Sequence, residues 1–450
     1  MPYGYLFSTL LLALGTLAAL APAPRRHPVV GTVSFVLGLV VNELPFLALT
    51  LLAGSTALVF GQGDVESAGA WAVVGVAALT APGLLVVARQ SMGAPRTVRS
   101  AVAAALGDAA AERVGRRTPW ASILFRPLWV HRRDVRRTRN LAYGDAGRRH
   151  RLDVYRPRAP RTGEPAPVIV YLHGGGYFSG HKNREGRLLL YRLAARGHVC
   201  VSANYRLRPH TDFAGHLADL QRVLAWVRAH IAEYGGDPDR VILAGSSAGA
   251  HLAAVTALSP VPDHAQAPTH GPVAAAPERP TAPGQPAATA RRPVTPVPDE
   301  PAATAARPAA TDRSQATVPD QPAAAHRPLA AICLYGYYGH YYGMGPDDLP
   351  VSSPLGYAAD AAPPVFVAHG DRDTLVSVSA AREFVAHLRA ASPSPVVYAE
   401  LPGAQHSFDL FRSVRHEAVI DGVEAFVSWV AGAPAGSAGQ RGATSSPASV

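Results

Sequence analysis

The stretch Val241-Ile242-Leu243-Ala244-Gly245-Ser246-Ser247-Ala248-Gly249-Ala250-His251-Leu252 decides the fold. An apolar run reads as a buried strand. A sharp turn follows, with serine at its tip, and an alanine-rich helical run continues to Leu258. Strand, tight turn, helix is the context that a G-x-S-x-G serine elbow requires. The flanking glycines have a physical role, because a side chain at either position would meet the neighbouring strand or helix. The pentapeptide alone is weak evidence in a chain with 41 glycines. Its weight comes from what surrounds it.

Upstream, Pro167 to Leu172 reads as a second buried strand. It runs into His173-Gly174-Gly175-Gly176-Tyr177. Glycines there let backbone N–H groups approach a substrate oxygen, which is what an oxyanion hole needs. The N–H of Ala248, just after the serine, is the expected partner. Downstream, Pro364 to Ala368 is a strand ending in His369-Gly370-Asp371-Arg372-Asp373-Thr374-Leu375-Val376. A carboxylate at that end of a strand can reach the same sheet edge as Ser247. Asp373 fits a G-x-x-D-x-L-V pattern, whereas Asp371 is expected to pair with Arg372 or cap the turn. Val396 to Leu401 forms the last strand and leads to Pro402-Gly403-Ala404-Gln405-His406-Ser407-Phe408. His406 is thus placed as general base. Most of the 18 histidines, including His264, His270 and His326, read as solvated polar residues.

The order Ser…Asp…His is that of the α/β-hydrolases. The chain resembles the hormone-sensitive-lipase-like carboxylesterases, and among them bacterial esterases with a membrane-spanning N-terminal region. The match rests on His173 to Gly176, Asn204-Tyr205-Arg206-Leu207, Tyr234-Gly235-Gly236-Asp237-Pro238, Gly245 to Leu252, Asp373, and Pro402 to Phe408. It covers roughly 140–258 and 329–432. Ser246 departs from the aspartate often found before the nucleophile, and Arg206 to His210 departs from R-L-A-P-E. The resemblance implies an α/β fold, a mostly parallel sheet flanked by helices. It implies Ser247 as nucleophile, Asp373 and His406 as its partners, and Gly175, Gly176 and Ala248 as oxyanion donors. The implied substrate is an ester, with lipids among the candidates. The alternatives are an amide hydrolase such as a formamidase, since Ser247 to His251 resembles that group too, and a non-catalytic binding module. No cofactor or metal is expected, since no Cys/His cluster has ligand spacing and no phosphate loop or dinucleotide fingerprint occurs.

The chain has 450 residues, 48% hydrophobic, with a net charge of +10. Lys182 is the only lysine. The arginine, alanine and proline bias reads as genome composition, and a nucleic-acid role has no fold support. Cys200 and Cys333 fall on core strands that are not neighbours in this fold, so buried free thiols are expected.

Residues 1–90 form a transmembrane helical region in this reading. Tyr5 to Ala21 and Ala68 to Ala88 each suit one span of about 20 residues. Val29 to Phe60 is too long for one straight span. It reads as a tilted, kinked helix or as two half-helices folding back at Glu43-Leu44-Pro45. Arg25 and Arg26 follow the first run, Asp64 and Glu66 precede the third, and Arg89, Arg96 and Arg99 follow it. This distribution puts the hydrolase domain on the cytoplasmic side of a multi-pass protein of the cell membrane. Residues 91–138 read as a basic juxtamembrane or cap segment whose arginines meet anionic headgroups. Residues 139–432 form the hydrolase domain. Its Pro/Ala-rich segment 259–328 reads as a disordered insertion, as does the tail 433–450. The insertion joins a helix to a strand, so it should emerge at the edge opposite Ser247 and not act as a lid.

Overall fold

The computed structural model describes residues 3–21, 28–115, 117–159, 164–259 and 327–432. The expected insertion, apart from its end residues, and the expected tail lie outside the described residues. So do Arg25, Arg26, His264, His270 and His326. The N-terminal region holds α1 (Tyr3–Leu20), α2 (Pro28–Glu43), α3 (Pro45–Gly61) and α4 (Ala68–Leu106). Two short helices follow, α5 (Asp108–Ala111) and α6 (Trp120–Phe125). The sheet-forming part then runs β1 (Val135–Ala142), β2 (Arg151–Pro157), β3 (Ala166–Leu172), α7 (Arg187–Ala195), β4 (Val199–Ala203), α8 (Phe213–His230), β5 (Gly236–Ser246) and α9 (Ala248–Leu258). It closes with β6 (Ala330–Leu334), β7 (Val365–Gly370), α10 (Val378–Ala391), β8 (Val396–Leu401) and α11 (Val414–Gly432).

The eight strands form one sheet in the order β1-β2-β4-β3-β5-β6-β7-β8. β2 runs antiparallel to β1 and β4, and the pairings from β4 to β8 are parallel. This is the α/β-hydrolase architecture. Parallel strands bury both faces, so their sequences are apolar throughout. In β3, Ile169 and Tyr171 face the layer of α4, α7 and α11, while Val168, Val170 and Leu172 face α8 and α9. The period of two follows from the alternation of Cβ direction along a strand. Cys200 on β4 and Cys333 on β6 are buried free thiols, separated by β3 and β5.

The N-terminal helices depart from the expected division in one respect. α4 is 39 residues long, about 58 Å at 1.5 Å per residue. A bilayer core is only about 30 Å thick. The boundary expected at residue 90 therefore falls inside a single helix. Beyond it, Ala94, Val98 and Val102 are fully buried in the same core as Phe366 and Phe426. A Cβ on Gly422 of α11 would lie 2.4 Å from Val98 Cγ1, so glycine permits this close helix approach. Residues 91–106 thus pack one face on the hydrolase layer, while Arg96 and Arg99 lie on the exposed face. Arg99 is turned to the Val114 carbonyl, at 2.6 Å from Nη2.

The long middle run is broken at Leu44, where α2 and α3 bend by 84°. Pro45 opens α3, and the residue before a proline is held out of the helical region. The single tilted helix of the two readings does not describe this run, which is two helices meeting at Leu44. Glu43 is buried against the hydrolase domain. It accepts from Ser413 Oγ at 2.7 Å and lies 3.5 Å from Arg415 Nη1. Arg415 also donates to the Asn42 carbonyl. α1 and α3 pack together, with Tyr5 and Thr56 hydroxyls 3.0 Å apart, and Phe60 of α3 meets Trp71 of α4 edge-on.

Candidate active site

β5 delivers Ser247 to the centre of the sheet's C-terminal edge. Its backbone sits at φ 51°, ψ −117°, a region that costs about 1–3 kcal/mol for a residue with a side chain. The turn is fixed by its neighbours. Ser247 N–H donates to the Leu334 carbonyl of β6 at 2.9 Å. A Cβ on Gly245 would come 2.3 Å from Gly249 C, and one on Gly249 would come 2.1 Å from the Leu172 carbonyl oxygen. Only glycine fits either position. Ser246 is buried and turned away, accepting from Tyr171 OH at 3.0 Å.

The loops after β7 and β8 bring two more groups to this point. His406 Nε2 is 3.0 Å from Ser247 Oγ, and its Nδ1 is 2.7 Å from Asp373 Oδ2. Asp373 Oδ1 accepts the N–H groups of Leu375 and Val376 at 2.9 and 2.8 Å. His369 Nε2 lies 3.3 Å from Asp373 Oδ2 and 3.2 Å from the Val376 carbonyl. Burial would raise the Asp373 carboxyl. The facing His406 and the hydrogen bonds from His369 and His406 outweigh it and hold the group below the usual carboxylate range. Asp371 is on the same loop but points elsewhere, accepting from Gly403 N–H at 2.7 Å. Its neighbour Arg372 does not pair with it. Arg372 Nη1 donates to the Ala19 and Leu20 carbonyls at the end of α1, at 3.0 and 2.9 Å.

The His173 to Tyr177 loop flanks Ser247 on the other side. A Cβ on Gly174 would lie 3.0 Å from Ser247 Cβ. Gly174 N–H is committed to Glu185 Oε2 at 2.9 Å. Gly175 and Gly176 carry φ of 117° and 58°, conformations open to glycine. Tyr177 OH donates to the Ala248 carbonyl at 3.2 Å and meets His251 Nδ1. The glycine loop is thereby clasped to the start of α9. His173 is stacked on Tyr205, and burial pushes it down to about 3. It is therefore neutral near pH 7. Tyr177 and His369 stand inside the quoted stretches without a role assigned to them, and nothing in the local sequence marks Glu185 for this site.

The edge is roofed from outside. Phe35 of α2 packs edge-on to His406 at 6.3 Å between ring centres, and Tyr335 does so at 4.6 Å. The Tyr335 to Tyr342 loop divides. Tyr335, Tyr338 and Tyr341 are buried, whereas Tyr337 and Tyr342 are exposed. A Cβ on Gly176 would lie 3.3 Å from Tyr342 OH, so this loop borders the glycine turn. Among the described residues no group of His, Cys, Asp and Glu is placed to hold a metal ion.

The chain is similar to known ester hydrolases. The BD-FAE family matches residues 152–268. The probable carboxylic ester hydrolase LipM of Mycobacterium tuberculosis is 33% identical, over 94% of this chain and 93% of its own. Esterase LipQ of the same organism is 33% identical, over 70% of this chain and 68% of its own. The butyrate-bound esterase Est2 of Thermogutta terrifontis, a solved structure, is 22% identical with a TM-score of 0.45, covering 65% of this chain and 92% of that one.

Proposed function

Since the chain belongs to the hormone-sensitive-lipase-like carboxylesterases, we propose that it hydrolyses its ester through Ser247, His406 and Asp373, at a membrane surface. The observation that carries the assignment is the unbroken line from Ser247 Oγ through both ring nitrogens of His406 to Asp373. His406 takes the serine proton as Oγ attacks the ester carbonyl. Asp373 holds the ring with Nδ1 protonated and stabilises the imidazolium. The N–H groups of Gly175, Gly176 and Ala248 receive the oxyanion. Gly174 is left out of this set because its N–H already serves Glu185. His406 then returns its proton to the leaving alcohol, and water attacks the acyl-enzyme with His406 again as base. The test is turnover by the purified full chain. A p-nitrophenyl ester series should be hydrolysed and an N-formyl substrate left nearly untouched. The reverse preference would replace the ester by an amide.

The membrane-surface part of the reading rests on what this edge carries. Among the described residues between 139 and 432, the exposed large apolar side chains are Phe178, Tyr337, Tyr342, Leu349 and Leu375. All five sit on segments that follow the C-terminal ends of β3, β6 and β7, so among the described residues the apolar rim lies at the catalytic edge. α1 and α2 dock on that same edge through Arg372, Phe35 and Glu43. α1 and α4 are long and apolar enough to cross a bilayer, and α2 with α3 supplies at most one more crossing. We read α1, α3 and the first part of α4 as spans. α3 has 17 residues, which lies within the range of about 17–25 for a span. The arginines toward the hydrolase side and the acidic Asp64 and Glu66 at the far end favour a cytoplasmic hydrolase domain. An alkaline-phosphatase reporter fused after Ala431 should be inactive. An active fusion would place the domain on the exported side.

A further inference from the structure

A cleft of about 830 Å³, lined by none of the catalytic residues, lies between the 126–133 segment and β1. Arg126, Arg132, Arg133, Arg137, Arg139 and Arg158 line it, and no acidic side chain does. Among the described residues, the ion pairs of this wall engage only Arg132, with Asp134, and Arg137, with Asp153. Arg126, Arg133, Arg139 and Arg158 keep their charge uncompensated by a carboxylate. Arg158 Nε is tied to the Arg133 carbonyl at 3.1 Å, which fixes where its remaining donors stand. His131 in the same wall is held below the ordinary imidazole range, first by burial and then by Arg187, Arg139 and Arg137. Four unmatched guanidinium groups converging on one concavity attract a multivalent anion, and their planar forks match phosphate oxygens.

The surroundings say where that anion comes from. Trp129 lines the cleft, and it is exposed by 62%, with Phe125 and Leu128 of the same segment exposed by 80% and 70%. Trp120 of the same segment packs edge-on against Phe46 at the foot of α3, with ring centres 5.1 Å apart. The segment is anchored to the catalytic-edge loop, since Arg412 N–H and Nη2 donate to the Pro127 and Trp129 carbonyls. An exposed aromatic strip at the foot of a membrane helix belongs at the headgroup level. We propose that this cleft binds the phosphate-bearing headgroup of an anionic lipid, with the acyl chains lying along Phe125 and Leu128 toward the helical bundle. The site is separate from the ester site and rests on the reading of α1, α3 and α4 as membrane spans, not on the catalytic assignment. It narrows the basic surface expected over 91–138 to one built cleft.

The test uses the full chain in nanodiscs of equal phosphatidylglycerol and phosphatidylcholine, extracted into detergent, with retained lipid counted by native mass spectrometry. The wild type should retain phosphatidylglycerol in preference. Arg126→Gln/Arg133→Gln/Arg139→Gln should lower that retention by about tenfold or more, with turnover of a soluble short-chain ester unchanged. Equal retention of the two lipids by the wild type would overturn the proposal without reference to any variant. Undiminished preference in the folded triple variant would overturn it as well. A thermal shift with inorganic phosphate or glycerol phosphate as large as that with short-chain phosphatidylglycerol would give the cleft to a soluble phosphate and overturn the lipid assignment. Failure of the catalytic reading would show instead as loss of ester turnover in the wild type, which leaves lipid retention untouched.

Discussion

Ser247→Ala is expected to abolish labelling by a fluorophosphonate probe and to lower ester turnover by ~10⁴-fold or more. The neighbouring serine makes this a sharp test. Ser246 and Ser247 are adjacent in sequence and both buried. A serine's reactivity depends on a base within reach of its hydroxyl. Only Ser247 has one, His406 Nε2 at 3.0 Å. Ser246 Oγ instead accepts from Tyr171 OH. Ser246→Ala therefore removes a buried hydrogen bond and costs stability of about 1–3 kcal/mol, while labelling persists. Tyr171 OH keeps a second neighbour, Asp409 Oδ2 at 3.4 Å, which softens that loss. If Ser246→Ala eliminates labelling in a folded protein, the nucleophile has been assigned to the wrong serine.

The elements nearest the chemistry were legible because each is specified locally. A strand followed by a loop residue places Ser247, Asp373 and His406 at one edge without reference to the rest of the chain. The glycines of the elbow are legible for the same reason, since close backbone approach excludes every side chain. What could not be read is carried by contacts between distant segments. Phe35 reaches His406 because α2 lies across the catalytic edge, and an apolar run gives no sign of which surface it will cover. In the sequence Glu43 only interrupts a long apolar run. Its partners Ser413 and Arg415 come from the opposite end of the chain.

The length of α4 is hidden in the sequence for a different reason. Its second half carries Arg89, Arg96 and Arg99, and that density of charge reads as a surface segment. Yet Ala94, Val98 and Val102 recur every four residues and form a narrow buried stripe between the arginines. Alanine contributes little to such a pattern in a sequence rich in alanine everywhere. The stripe becomes legible only with α11 and its Gly422 in place.

Asp373→Asn is expected to lower turnover by ~10⁴-fold, and Asp371→Asn to change it by no more than a few-fold. The argument is one of donors and acceptors. Asp373 Oδ1 accepts two backbone N–H groups, from Leu375 and Val376. An asparagine must keep its carbonyl oxygen there, since an amide NH₂ would set donors against donors. The NH₂ then falls where Oδ2 stood, facing His406 Nδ1. Its hydrogen forces Nδ1 to become the acceptor and moves the imidazole proton to Nε2. That nitrogen then has no lone pair to take the Ser247 proton. Geometry is preserved while the tautomer is wrong, so the variant should stay folded with the elbow intact. Asp371 has no such coupling. One of its oxygens accepts Gly403 N–H at 2.7 Å, and an asparagine oxygen can keep that bond. Burial raises the Asp371 carboxyl above its ordinary range, so replacing it by a neutral amide relieves a cost of burying charge. Steady-state turnover of the two variants on one ester, with circular dichroism to check folding, decides between the aspartates. If Asp371→Asn proves the more damaging, the acid of the triad is Asp371, and the placement of the carboxylate after β7 has to be redrawn.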